Sequence, residues 1–389
     1  MEIISKEKPT KVKKKTSLIP ISNIVFEGNE EKYVLDGVRS TWVSSLGKYI
    51  DRFEDDFASF LGAKHAVSVS NGTCALLLAL KALDVGPGDE VVVPSFTFAA
   101  TVNAVMHAGA TPVLIDCMPD HWNVDPAEFE KAITPSTKAV IPVHLYGHPC
   151  DMKSIMRIAK KHKIFVIEDA AEAHGAECEG KKVGAIGHIG CFSFYGNKVI
   201  TTGEGGLCVT NNSLLDKRMR KLRDHGMSKK RRYWHEEVGF NFRLTNLNAA
   251  IGVAQLEQIG EKLARRLELA NLYNTGIRTI PGLRIYSKSL HGKKIDWLYC
   301  VFVGDNFPLK RDPLIVKLKK YNIDARPTFY PAHLMPPYRQ IRKIGNLGNS
   351  VNFGLSGINL PLFPSLLDED VEYIVASLRE IYIQAKKRR

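Results

Sequence analysis

From about residue 21 to residue 280, short apolar runs alternate with helical stretches. Ala66–Ser70 reads as a strand that runs into Asn71-Gly72-Thr73, and Cys74–Leu83 then reads as a helix. Glu90–Val93 is rich in β-branched residues and ends at Pro94. Thr97–His107 predicts a helix and Pro112–Asp116 the next strand. Ala139–Val143 and Ile164–Glu168 read as further strands, separated by a helix over Met152–Lys161. Alternation at this spacing predicts βαβ units and a mostly parallel sheet buried on both faces, an α/β fold. After Asp169 the pattern changes. Gly190–Tyr195 and Gly206–Thr210 are strand-like and close together, which suits an antiparallel piece of the same sheet. Thr245–Ile280 reads as long helical sequence ended by Pro281-Gly282. Beyond it, Trp297–Val303 and Ile323–Pro327 read as strands and Glu369–Lys387 as a helix. The expected layout is a basic flexible arm over 1–20, a large domain over 21–282 and a smaller α+β domain over 283–389. The ordered N-terminal segment is expected to pack with the smaller domain.

Length supports that division, since 389 residues exceed one comfortable core. Lys and Arg outnumber Asp and Glu by 54 to 41, a net charge of +13. Much of the excess sits in the ends: six Lys against two Glu in residues 1–15, and Lys386, Lys387, Arg388 and Arg389 at the other end. Net charge therefore gives little reason to expect nucleic-acid binding, and no recognition module accompanies it. No apolar run approaches the roughly 18–20 residues needed to span a bilayer, and no signal-peptide core is present. The seven cysteines are scattered without a Cys-x-x-Cys. That fits reduced thiols in a cytoplasmic protein and gives no metal site.

Three segments carry candidate chemistry, each at a strand end, where open α/β sheets bind ligands. Ser70-Asn71-Gly72-Thr73 offers free amides and a hydroxyl at a helix start, suited to a phosphate. Taken alone it is more readily an ordinary helix cap. Ile167-Glu168-Asp169-Ala170-Ala171-Glu172 puts two or three carboxylates at a strand exit, where an acid needs a cation or hydrogen-bond donors. Its bland alternative is a helix capped by Asp169, with Glu172 completing a capping box. Phe192 through Gly206 sets a single Lys198 among aromatics, hydroxyls and glycines. A sheltered lysine can lose its proton and attack a carbonyl; most lysines are simply solvated. The order is informative. Lys198 follows Asp169 by 29 residues, and the phosphate-type turn precedes both. Pyridoxal phosphate needs a phosphate site, an acid for its ring nitrogen and a lysine for its aldehyde.

With these segments in view, residues 20–380 resemble the DegT/DnrJ/EryC1/StrS sugar aminotransferases, which have the fold-type-I architecture. The likeness rests on Ser40-Thr41-Trp42-Val43-Ser44-Ser45, Val143-His144-Leu145-Tyr146-Gly147-His148, Gly196-Asn197-Lys198 through Gly206, and Gly239-Phe240-Asn241-Phe242-Arg243. Arg326-Pro327-Thr328-Phe329-Tyr330-Pro331 and Gly357-Ile358-Asn359-Leu360-Pro361 extend it. The resemblance implies pyridoxal 5'-phosphate as cofactor, with pyridoxamine phosphate between the two half-reactions. It implies that Lys198 bonds the cofactor and shuttles protons, and that Asp169 pairs with the ring nitrogen. Phe98 is expected to stack on the ring, and Gly72, Thr73 and Ser193 to hold the phosphate. Glu172 takes a place near the ring hydroxyl where many relatives have Gln or His. Asn241 is expected to reach the phosphate in a neighbouring subunit, so that a homodimer shares its sites.

For substrate, the resemblance implies a nucleotide sugar, with L-glutamate as amino donor. Trp42, Ser45, Arg231, Arg326, Tyr330 and His333 are the expected substrate contacts. His225 is equally open as a pocket or a structural histidine. Thr202-Gly203-Glu204-Gly205-Gly206 resembles the C4-aminating members. The expected substrate is GDP-4-keto-6-deoxymannose, giving a perosamine-type product. A UDP- or dTDP-4-keto-6-deoxyglucose, giving a viosamine-type product, is the nearest alternative. A dehydratase of the same family is a further reading, but those relatives carry His in place of the lysine. A non-catalytic basic regulator is the remaining one, with the complete cofactor set against it.

Overall fold

A computed structural model describes residues 12–387. A seven-stranded sheet dominates it, built from β1 (His65–Val69), β2 (Glu90–Pro94), β3 (Thr111–Ile115), β4 (Thr137–Val140), β5 (Phe165–Asp169), β6 (Ile189–Ser193) and β7 (Gly206–Thr210). Its order is β1-β7-β6-β5-β4-β2-β3. The β2–β3, β2–β4, β4–β5 and β5–β6 pairs are parallel, while β7 runs antiparallel to both β6 and β1. The antiparallel piece expected after Asp169 is therefore present in the same sheet. Side chains alternate between two cores: Val92 faces one, Val91 and Val93 the other.

The expected helices appear as α3 (Gly72–Ala82), α4 (Ala99–His107), and α6 (Met152–His162), with α5 (Pro126–Ala132) between the last two. Two earlier helices, α1 (Glu30–Arg39) and α2 (Lys48–Leu61), were not anticipated. Yet α2 buries Tyr49, Ile50, Phe53, Phe57 and Leu61 at helical spacing and ends on Gly62 with φ 70°. α7 (Ser213–Arg223) follows the last strand of the seven-stranded sheet. The expected single helix over Thr245–Ile280 is two, α8 (Asn246–Glu257) and α9 (Ile259–Ile277), parted at Gln258 with φ −107° and ψ 5°.

A second, antiparallel sheet holds β8 (Leu283–Arg284), β9 (Tyr299–Val303), β10 (Arg326–Pro327) and β11 (Gly357–Leu360), in the order β8-β9-β11-β10. The strand expected over Ile323–Pro327 shrinks to two paired residues. Ile323 instead bridges Ile19, and Pro327 has no N–H to donate. α10 (Arg311–Lys319), α11 (Gly348–Ser356) and α12 (Asp368–Lys386) complete this part. Its core also draws on Leu269, Tyr273 and Ile277 of α9.

Of the expected basic arm, residues 1–11 lie outside the described residues, as do Arg388 and Arg389. Residues 12–20 are not a free arm. Ile19 is buried, its N–H donates to Asn322 O (2.8 Å), and its carbonyl accepts from Asp324 N (2.9 Å). Lys15 pairs with Asp370. Burial of one apolar side chain and a short bridge hold the segment on the second sheet. Among the described residues no helix is long and apolar enough to cross a membrane.

Candidate active site

β1, β5 and β6 point the same way in the sheet, so their C-terminal ends share one edge. The turn after β1, the exit of β5 and the loop after β6 therefore meet. Between them lies a cavity of about 580 Å³. Gly72, Thr73, Phe98, Asp169, Glu172, Ser193 and Lys198 all line it. Three segments separated in sequence are thus brought to one space.

The turn is held by Asn71, whose side chain caps α3 by accepting from Cys74 N (2.9 Å). That leaves the amides of Gly72 and Thr73 in the first turn without intrahelical acceptors. The plain cap and the free amides that an anion would need are here the same structure. Gly72 passes so close to β6 that an added Cβ would lie 2.8 Å from Ser193 Cβ. Gly206 is equally confined, since a Cβ there would lie 2.4 Å from Asn71 O.

Strand alternation separates the neighbouring acids of β5. Glu168 faces away from the cavity and is fully buried. It accepts from Gly184 N (2.8 Å), Ile186 N (2.8 Å) and Gly187 N (2.6 Å), and pairs with His144 Nε2 (3.1 Å). Burial alone would raise its carboxyl, but His144 and these amides hold it below the usual range. Asp169 faces the cavity. Its carboxylate accepts from Thr101 Oγ1 (2.8 Å) and Ala171 N (3.2 Å). Among the described residues no cation lies within ion-pair distance of it. Burial pushes its carboxyl up. No helix follows β5, so the alternative of a capping box through Asp169 and Glu172 is not what the structure contains.

Glu172 accepts from Tyr146 N (2.8 Å) and lies 3.6 Å from Lys198 Nζ. Burial raises its carboxyl to about 7, against the opposing charge of Lys198. The same burial pulls the Lys198 amine below its ordinary value. Both shifts favour the uncharged form of each group, the state in which Nζ can act as a nucleophile.

Phe98 sits at the N-cap of α4 with its ring half-exposed to the cavity, 5.3 Å from the ring of Phe329. An exposed apolar ring over a cavity floored by a buried acid suits a flat heterocycle whose ring nitrogen is a cation. The Asp169 carboxylate, buried and without an ion-pair partner among the described residues, is the observation that makes such a cation fit here.

The remaining expected residues do not line this cavity in their own chain. Asn241 is exposed and accepts from Arg243 Nε (3.0 Å). Trp42 is exposed, with its carbonyl accepting from Asn246 Nδ2 (2.7 Å). Ser45 lies in the same connection between α1 and α2. Arg231 stacks on Trp234 (4.4 Å), Arg326 pairs with Asp324 (2.9 Å), and Tyr330 accepts from Arg311 Nη2 (3.0 Å). His333 Nδ1 is 2.7 Å from Ser95 Oγ. His225 contacts Arg243 (3.4 Å) in the loop region after α7. Conversely, Thr101, Tyr146, Trp297 and Phe329 touch the site without having been singled out. Thr101 lies inside an apolar helix, and Trp297 reads as an ordinary strand aromatic, so only the fold brings them in.

Residues 26–379 match the profile of the DegT/DnrJ/EryC1/StrS aminotransferase family. The chain is 46% identical over 360 residues to GDP-perosamine synthase of Caulobacter vibrioides, covering 92% of this chain and 96% of that protein. It is 43% identical over 364 residues to GDP-perosamine synthase of Escherichia coli O157:H7, covering 94% and 98%. A protein of Streptococcus pneumoniae described as a sugar aminotransferase has been solved in a PLP form. It superposes with a TM-score of 0.89 at 28% identity, covering 95% of this chain and 99% of that one. The chain belongs to the DegT/DnrJ/EryC1/StrS aminotransferase family and is an aminotransferase.

Proposed function

We propose that this enzyme binds pyridoxal phosphate and transfers an amino group from L-glutamate to C4 of a GDP-linked 4-keto-6-deoxy sugar, giving a perosamine-type product. The observation that carries the cofactor reading is the single cavity in which Lys198 stands beside Glu172, with a buried Asp169 that has no ion-pair partner among the described residues. The sugar reading is supported by the GDP-perosamine synthases, which match over nearly their whole length.

When bound, the cofactor supplies an aldehyde that carries the amino group and a cationic ring that accepts an electron pair. The chain's residues then divide the work. The Gly72 and Thr73 amides and the Ser193 hydroxyl hold the phosphate, with the positive end of α3 behind them. Asp169, oriented by Thr101 and Ala171, keeps the ring nitrogen protonated. Phe98 covers one ring face and excludes water from it. Lys198 would hold the aldehyde carbon through Nζ, with the carbonyl oxygen leaving as water, and would hold and return a proton at that atom. Glu172, held by Tyr146 N, would face the ring hydroxyl.

A homodimer completes this reading. Asn241 of the partner subunit is proposed at the phosphate, consistent with Asn241 being exposed and outside its own cavity. Trp42, Ser45, Arg231, Arg326, Tyr330 and His333 are proposed around the sugar and its diphosphate.

The test is a panel of GDP-, UDP- and dTDP-linked 4-keto-6-deoxy sugars with glutamate, read as 2-oxoglutarate and new amino sugar. Turnover confined to the GDP substrate is expected; preference for UDP or dTDP would replace the sugar assignment. Borohydride treatment is expected to fix the cofactor on the peptide containing Lys198. Fixation on any other peptide would remove the cofactor assignment.

A further inference from the structure

Trp297 lies two residues before β9, far from the lysine in sequence, and is buried. It touches the lysine loop twice. Its indole Nε1–H donates to the carbonyl of Asn197, the residue before Lys198, at 2.7 Å. Its ring centre is 4.0 Å from Lys198 Nζ. The residue is itself anchored, because its carbonyl accepts from Arg266 Nη1 at 2.8 Å. Arg266 is buried and also donates to Leu362 O (2.9 Å). The indole lies nearly parallel to Tyr146, at 6.0 Å and 11°. Tyr146 has left-handed backbone angles, φ 54° and ψ 22°, which aim its N–H at Glu172. Non-glycine residues hold such angles only where the surroundings enforce them. One stacked aromatic pair thus holds both members of the Lys198–Glu172 pair, Trp297 from one side and Tyr146 from the other.

We propose that Trp297 is a positioning residue for Lys198. Its N–H fixes the backbone that enters the lysine, and its ring face is where Nζ rests when it is protonated and not covalently engaged. The inference rests on the reading of Lys198 as the cofactor-bonding residue. Physically, an ammonium is drawn to the negative face of an indole, more strongly when both are desolvated. A resting place matters because a chain of four methylenes has many rotamers, and only those near the cavity floor are productive. The groups facing Nζ are Glu172, Asp169 and the buried His174, alongside this ring.

The test separates the two contacts. In cofactor-free protein, Lys198 is acylated with acetic anhydride over a range of pH and the modified peptide is quantified by mass spectrometry. Trp297→Leu keeps the site apolar but removes the π face. Its acylation midpoint is expected to fall by roughly half a pH unit or more, since the ammonium loses its attraction. Trp297→Phe keeps a face and loses the N–H. Its midpoint is expected to stay near wild type while kcat falls severalfold, with KM for both substrates unchanged. An unmoved midpoint in the Leu variant overturns the resting place, and an unmoved kcat in the Phe variant overturns the loop anchor. Should the Leu variant fail to fold, the Phe variant still decides. If its kcat matches wild type, the proposal falls. If wild type transaminates and neither variant differs from it, the positioning role fails alone. If the midpoint shifts but no nucleotide sugar is aminated, the positioning role stands and the functional reading fails.

Discussion

The groups at the strand ends and those expected around the sugar are built on different kinds of chain. Asp169 and Ser193 close strands of the seven-stranded sheet, and Gly72 opens the helix that follows another. Their backbone is fixed by ladder bonds and by contacts as close as Gly72 against Ser193. Trp42, Arg231 and Tyr330 lie on exposed connections, and Arg326 on a two-residue edge strand. They are satisfied by local partners such as Trp234, Asp324 and Arg311. Topology alone assembles the first group. The second is left open toward whatever meets it, substrate or a second subunit. Variants can break or sharpen this contrast.

The largest effect is expected at Lys198. Lys198→Ala should lower kcat by roughly 10³-fold or more, because nucleophile and proton carrier are lost together. Stopped assays with glutamate and the GDP-linked ketosugar check this, and wild-type turnover would place the chemistry elsewhere. Next comes Asp169→Asn, which keeps the shape and removes the charge. A loss of about 10²-fold or more in kcat is expected, with the cofactor held less tightly. A variant with wild-type rate would mean that no cation faces this carboxylate.

A smaller effect concerns pH. Burial lifts Glu172 from 4.5 to about 7, so between those values the folded chain binds a proton that the unfolded chain has released. The contribution of Glu172 to stability is therefore complete below about pH 4.5 and is lost as pH rises through about 7. Its full size is on the order of 3 kcal/mol. In cofactor-free protein, Glu172→Gln should flatten the fall in Tm between about pH 5 and about pH 8. An unchanged slope would show that the carboxyl titrates in its ordinary range. Lys198, pulled down by the same burial, contributes the opposite slope at more alkaline pH. The Gln variant, compared with wild type, isolates Glu172.

The smallest effect is expected at Arg326, whose pair with Asp324 is exposed. Arg326→Ala should change stability by less than about 1 kcal/mol. It should leave cofactor content intact and raise KM for the nucleotide sugar. Loss of cofactor in this variant would erase the distinction between the two groups.

Much of this was legible in the sequence, because it depends on patterns short in range. Continuous apolar runs such as Val91-Val92-Val93 identify strands buried on both faces, and the motifs at their ends mark one edge. The resemblance then assigns Lys198 and Asp169 from local segments. The helix α2 is also legible, in the spacing of Tyr49, Phe53, Phe57 and Leu61. Other features were not written locally. β11 is four residues with Gly357 and Asn359, and it becomes a strand because β9 and β10 flank it. Glu168 and Asp169 are chemically alike, and only the direction of the strand's pleat sends one to His144 and the other to the cavity. Trp297 reaches Lys198 through its hydrogen bond to the Asn197 carbonyl and its anchor on Arg266 of α9. The sequence by itself determined the strands and helices of the large sheet and the chemistry carried at their ends, since periodicity and turn residues act over a few positions. The tertiary structure decided which face each side chain takes and which distant residues meet the lysine, since those depend on contacts between segments a hundred residues apart.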